Sequence, residues 1–226
     1  MKLDGSDVIK ACIFDLDGVI VDTAHYHYLA WKRLANELGH DLTESENERL
    51  KGVSRMQSLD IVLELAGISI NAPHREILAN KKNSWFNEYI LQMTPQEIFP
   101  GVLQLIGLLK SRGMKIGLAS SSKNARTVLR LLGIENEFDT IVDGNMIRNT
   151  KPHPEIFLMT AKNLGVPASG CVVIEDAEAG VAAARAAGMK CIGVGSAAVL
   201  EKANMVFKTT SDIKLSTFKA LETVDD

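Results

Sequence analysis

Apolar residues in this chain fall into two kinds of run. Short, unbroken ones rich in β-branched side chains, at 11–14, 115–119, 140–142, 171–174, 191–194 and 205–207, read as strands buried on both faces. Between them, apolar positions recur at helical period. His27, Trp31, Leu34 and Leu38 mark one helix, with Asp22 and Thr23 offering capping oxygens before it and Gly39 as a stop after it. The stretch 59–66 ends at Gly67, and 75–91 carries Ile77, Leu78, Trp85, Phe86 and Tyr89. Further helices are predicted over 102–110, over 124–132 before Gly133, from Lys151-Pro152-His153-Pro154 to Gly165, and through an alanine-rich segment that stops at Gly188.

Strands that alternate with helices imply a parallel sheet covered on both faces, an α/β architecture. From the end of the first strand to about Pro95 no strand is predicted, so that block reads as an all-helical cap domain inserted into the sheet domain. The expected boundaries are 1–22 and 97–226 for the core and 23–96 for the cap. No internal repeat or low-complexity segment interrupts this reading.

Composition narrows the function classes. With 226 residues, 46% hydrophobic, 23% charged and a net charge of −3, the chain is ordinary for a globular protein. It carries no basic excess to suggest nucleic acid or an anionic membrane surface. No apolar run approaches the roughly 18 residues that span a bilayer, and the polar, acidic opening Met1–Asp7 argues against a secretory signal. Cys12, Cys171 and Cys191 each sit in a strand-like run. They read as buried free thiols rather than a disulfide set or a metal site, which makes the cytoplasm the expected compartment.

The chemistry concentrates where strands end. The first strand runs into Asp15-Leu16-Asp17-Gly18, and alternation puts the two carboxylates on one side of the chain. A buried carboxylate must be paired, liganded or protonated, and two so close are tolerable beside a cation. Taken alone, these residues describe an Asp-Gly turn equally well. However, the second strand ends in Ser120, Lys151 follows the third, and the fourth ends in Glu175-Asp176. Each has a bland reading as a cap, a surface lysine or a helix-opening acid pair. Together they place complementary groups at the carboxyl ends of one parallel sheet, where ligands bind.

These four stretches, Asp15-x-Asp17-Gly18, Ser120, Lys151-Pro152 and Glu175-Asp176, resemble the four motifs of the haloacid dehalogenase-like superfamily in order and spacing, over essentially the whole chain. The resemblance implies a Rossmann-like parallel sheet core with the helical cap inserted. It implies Asp15 as a nucleophile that accepts a phosphoryl group and Asp17 as general acid–base. Ser120 and Lys151 would stabilise the transferring group. A Mg²⁺ ion would be held by Asp15, Asp176, Glu175 and the Asp17 carbonyl. Dehalogenating members are expected to lack the second aspartate, so Asp17 points to phosphoryl transfer.

Within the superfamily, the stretches 15–20, 50–55, 119–124 and Lys151-Pro152 are similar to the beta-phosphoglucomutase subfamily. That likeness implies that Gly52, Val53, Ser54 and Arg55 of the cap, with Ser121, Ser122, Lys123 and Asn124, bind the non-reacting phosphate of a sugar phosphate. His27 would discriminate the sugar hydroxyl from water, although its helical spacing also suits a core histidine. Lys82 and Asn83 would contact the sugar, although a solvated helix face describes them almost as well. Thr23 supports the helix start. The segment 143–150 and His153 depart from the subfamily pattern. The expected activity is Mg²⁺-dependent isomerisation of beta-glucose 1-phosphate and glucose 6-phosphate through the bisphosphate, by a monomer. The alternatives are a sugar-phosphate phosphatase and a catalytically silent binding protein. The intact motifs argue against the last of these.

Overall fold

The computed structural model describes residues 8–50 and 54–223. They form two compact units, residues 8–22 with 94–223, and residues 23–50 with 54–93.

The first unit is built on six strands: β1 (Ala11–Phe14), β2 (Lys115–Ala119), β3 (Thr140–Val142), β4 (Cys171–Glu175), β5 (Lys190–Val194) and β6 (Met205–Phe207). They form one sheet in the order β3-β2-β1-β4-β5-β6, and every pairing is parallel. All four residues of β1 and all five of β4 are buried, as the unbroken apolar runs require of strands covered on both sides. Ala11 and Ile13 of β1 join Val173 and Cys191 in a core closed by Ile156, Phe157 and Ala161, and by Val181, Ala183 and Ala184. Cys12 and Phe14 alternate to the opposite face. The chain builds outward from β1 to β2 and β3, then crosses back to place β4 on β1's other side. The two central strands therefore end at the topological switch point, where an open parallel sheet leaves a crevice.

Five helices of this unit are α5 (Val102–Lys110), α6 (Ala125–Leu131), α7 (Glu155–Leu164), α8 (Glu178–Ala186) and α9 (Leu215–Leu221). The helix expected to open at Lys151 starts at Glu155 instead. Lys151-Pro152 lies in a turn with a cis peptide bond, and Pro154 occupies the N-cap. The final helix, α9, has too short an apolar pattern to register as periodic.

The second unit is wholly helical among the described residues: α1 (Ala24–Glu37), α2 (Glu44–Asn47), α3 (Arg55–Ala66) and α4 (Ala72–Ile90), with a 3₁₀ turn at Glu48–Leu50. α1 packs on α4, and α3 packs on both. Caps that the apolar pattern passes over set several of the boundaries. Asn71 accepts from the His74 amide at 3.2 Å with Pro73 in the first turn, so α4 begins three residues before the expected Arg75. Thr43 and Glu46 make a capping box around α2. Thr23 takes the N-cap position of α1 without a side-chain capping bond. Among the described residues no helix is long and apolar enough to cross a membrane.

Candidate active site at the carboxyl ends of the central strands

Asp15 follows the last residue of β1 and is held in line by its amide, which donates to Ile174 O at 3.0 Å. Asp15 is buried, 7% exposed as a residue. The Lys151 ammonium donates to Asp15 Oδ1 at 2.5 Å, to Glu175 Oε1, and to the Ala119 carbonyl at 3.3 Å. Its cationic head also lies 5.0 Å from the Phe157 ring centroid. One lysine, reaching in from the turn before α7, thus links the ends of β1, β2 and β4. Burial alone would discharge it, but the two carboxylates outweigh that loss and hold its pKa above the usual lysine range. Burial pushes the Asp15 carboxyl up, Lys151 pulls it back, and Glu175 and Asp17 add to the rise.

Glu175 is 1% exposed and fully engaged. While Oε1 faces Lys151, Oε2 accepts from the amides of Asp176 at 2.9 Å and Ala177 at 3.0 Å. Glu175 is thus the shared partner of an ammonium and two amides, next to Asp176 in the set expected to hold a metal. Asp176 is exposed as a residue, yet its carboxylate lies over Gly18, where an added Cβ would fall 1.9 Å from Oδ2. Gly18 also has φ +73°, so the backbone turn and the close approach both require glycine there. Withdrawal of the Asp176 carboxylate from water and the charge of Glu175 push it up to about 7, against the pull of Lys151.

Ser120 is buried, with its amide on Val142 O at 3.1 Å and its Oγ accepting from the Ser122 amide at 3.1 Å. Ser122 Oγ in turn accepts from the Asn124 amide at 3.2 Å. The hydroxyls of this turn are thereby oriented by amides, and the Ser120 proton is left to donate. Ser121 and Lys123 are exposed, and Ser122 and Asn124 are half-buried. The segment set apart in the sequence is tied to this turn: the Gly144 amide donates to Ser122 O at 3.2 Å, and Asn145 Nδ2 to Lys123 O at 2.9 Å. Asp143 is buried and caps the Asn145 amide at 2.9 Å. Phe157 and the Ala119 carbonyl were not singled out from the sequence, because apolar rings and main-chain oxygens carry no motif.

Lys151 pairs with Asp15 and Glu175, and the charges of Asp17 and Asp176 lie close to the same carboxylates. Asp15, Asp176 and the main-chain oxygen of Asp17 are hard oxygen donors of the kind that a small divalent cation takes. Among the described residues no three His, Cys, Asp or Glu side chains close into a cage. Such a cation does not need one, since it is commonly bound through one or two carboxylates and keeps several waters. The donor set therefore fits a hard cation. The buried thiols stand apart: burial pushes Cys171 up to about 11 and raises Cys12 and Cys191, which keeps them protonated and unreactive.

The helical unit carries its own polar cluster. Lys82 of α4 is 1% exposed, so the solvated-face alternative does not hold for it. Its ammonium meets His27 Nδ1 of α1 at 2.7 Å and lies 4.6 Å from the Trp31 ring and 5.1 Å from that of Phe86. His27 stacks on Phe86 with centroids 4.0 Å apart. Burial, then Lys82 and Arg55, drive the imidazole down to about 3, so it is neutral and accepts at Nδ1. Burial and Arg55 lower Lys82 to about 7. Ser54 caps α3, its Oγ accepting from the Gln57 amide at 3.3 Å. Arg55 is half-buried, and burial lowers its pKa. Asn83 is half-buried, and Gly52 and Val53 lie outside the described residues.

The model of the haloacid dehalogenase-like hydrolase family matches residues 9–188. Beta-phosphoglucomutase from Bacillus subtilis is 44% identical over 210 residues, covering 92% of each chain. A phosphorylated carbohydrates phosphatase from Thermotoga maritima is 34% identical, over 81% of this chain and 84% of that one. The crystal structure of beta-phosphoglucomutase from Clostridium difficile superposes with a TM-score of 0.86 at 46% identity, over 95% of this chain and 97% of that one. With a parallel sheet whose central strands end in Asp15 and Glu175 bridged by Lys151, and a family match spanning most of its length, the chain belongs to the haloacid dehalogenase-like hydrolases.

Proposed function

We propose that this protein is a phosphosugar mutase that interconverts beta-glucose 1-phosphate and glucose 6-phosphate through the 1,6-bisphosphate. One observation carries the choice of an isomerase over a hydrolase. Lys82 is buried in the helical unit, bonded to a neutral imidazole and ion-paired with no carboxylate among the described residues. A buried ammonium without a counter-charge is costly, and an anionic ligand relieves that cost. A mutase needs such cations because its bisphosphate must be gripped at the phosphate that does not react. Arg55, near enough to lower both His27 and Lys82, supplies a second.

In the proposed reaction, Asp15 attacks the phosphoryl group and carries it as an aspartyl phosphate. Asp17 protonates the departing sugar oxygen and later deprotonates the incoming hydroxyl. Lys151, fixed by Glu175, meets the charge of the transferring oxygens, and the Ser120 hydroxyl donates to one of them. Mg²⁺, bound through Asp15, Asp176 and the Asp17 carbonyl, would supply the positive charge that lets an anion approach these carboxylates. Glu175, which fixes Lys151, would add a carboxylate oxygen to that metal-binding set. The protein would act as a monomer, and the buried free thiols suit a reducing compartment such as the cytoplasm.

The deciding assay supplies beta-glucose 1-phosphate, Mg²⁺ and trace bisphosphate, and follows glucose 6-phosphate and free phosphate separately. Glucose 6-phosphate is the expected product, and predominant phosphate release would defeat the mutase reading. That second reading, a phosphatase with water as acceptor, keeps the same core chemistry and is favoured by the phosphatase relative. Arg55→Lys, which keeps the charge and loses the planar fork, is expected to raise KM for the sugar phosphate about tenfold or more, with the Mg²⁺ dependence unchanged. Equal weakening of both would count against the phosphate role.

A further inference from the structure

Gly180 stands inside α8, where nothing in the backbone calls for glycine: its φ lies outside the left-handed region. Glycine weakens a helix interior relative to alanine, so its presence asks for another reason. A Cβ at this position would fall 1.9 Å from both Cδ and Oε1 of Glu175 and 2.3 Å from Oε2. An exposed glutamate could swing aside, but this one is 1% exposed and pinned on both oxygens, by Lys151 and by the amides of Asp176 and Ala177. A methyl group would drive the carboxylate out of those bonds.

We infer that Gly180 is a positioning residue: its missing side chain keeps open the space in which Glu175 holds Lys151 beside Asp15. The inference rests on the role proposed above for Lys151. With Glu175 displaced, the ammonium retains Asp15, the Ala119 carbonyl and the Phe157 ring. It would then pair more tightly with the nucleophile and lie off the position that serves the transferring oxygens. Alanine is the better helix former, which offsets part of the stability lost with the buried Glu175–Lys151 pair.

The test is a double-mutant cycle with Gly180→Ala, Glu175→Asp and the pair, in kinetics with Mg²⁺ and beta-glucose 1-phosphate. Gly180→Ala is expected to lower kcat about ten- to a hundredfold, in line with a misplacement of about an ångström, and to leave KM nearly unchanged. Glu175→Asp retracts the carboxylate from the space facing residue 180, so adding the methyl to that variant should cost little further activity. An unchanged kcat in Gly180→Ala overturns the inference, and so do losses that simply multiply in the pair. Should Gly180→Ala fail to fold, the cycle is read on thermal midpoints: recovery in the Glu175→Asp background supports the contact, and no recovery overturns it. Turnover is counted as glucose 6-phosphate plus free phosphate. A wild-type protein that only hydrolyses would therefore defeat the mutase reading while still reporting on Gly180.

Discussion

An Asp15→Asn protein is expected to fold normally and to lose turnover by about 10⁴-fold or more, on the order of 5 kcal/mol of transition-state stabilisation. The substitution is nearly isosteric, and the amide oxygen can still accept from Lys151, which sits 2.5 Å from Asp15 Oδ1 in the native protein. What it removes is the anionic oxygen that would form the bond to phosphorus. Steady-state kinetics with either sugar phosphate should show the loss, while the thermal midpoint stays within a few degrees of wild type. Intact mass after incubation with the bisphosphate should show a phosphorylated wild type and an unmodified variant. A folded Asp15→Asn protein with ordinary turnover would remove Asp15 from the role of nucleophile and the proposed mechanism with it.

Lys82→Met is expected to do two opposite things. Binding of the sugar phosphate should weaken roughly ten- to a hundredfold, the usual consequence of losing a hydrogen bond to a charged group. Stability at pH 6 should rise by about 1–4 kcal/mol, because an ammonium buried among Trp31, Phe86 and His27 is exchanged for an apolar side chain of similar length. The pH dependence has a definite sign. The folded-state pKa of Lys82, about 7, lies below the unfolded value of 10.5. Between those values the unfolded chain binds the extra proton, so wild-type stability climbs with pH across that window. Below pH 7 the cost of the buried charge is present in full. Of the groups that face it, His27 is neutral across this window and Arg55 is a guanidinium, so neither alters this ordering. Thermal midpoints of the two proteins should therefore differ most at pH 6 and converge towards pH 10. A variant less stable than wild type at pH 6 would mean that Lys82 contributes to the fold and is not held at its expense.

The strands and the candidate catalytic set were legible in the sequence because each rests on a local signal. A strand covered on both faces must be apolar throughout, so 11–14 and 171–174 stand out at once. Polar groups at the ends of such runs then mark the carboxyl edge of the sheet. Helix boundaries were less legible where a side-chain cap decides them. Asn71 starts α4 ahead of its apolar periodicity, and the turn at Lys151-Pro152 delays α7 to Glu155. These departures turn on single hydrogen bonds and backbone angles that a pattern of apolar spacing does not register.

By itself the sequence determined a doubly covered parallel sheet, an uninterrupted helical stretch after β1, and the candidate groups Asp15, Asp17, Ser120, Lys151, Glu175 and Asp176. These follow from residue types and their order, which local chemistry reads directly. Only the tertiary structure decided how those groups divide their work. Glu175 is the partner of Lys151 because β1 and β4 are neighbours and α8 offers a glycine against its carboxylate. Lys82 is a buried cation and not a solvated one because α1 and α4 pack face to face, with His27, Trp31 and Phe86 closing over it. Burial and partnership arise between elements far apart in the chain, so no spacing within a single element reveals them. The same Asp15 that ends one strand gains its lysine from a turn 136 residues further along.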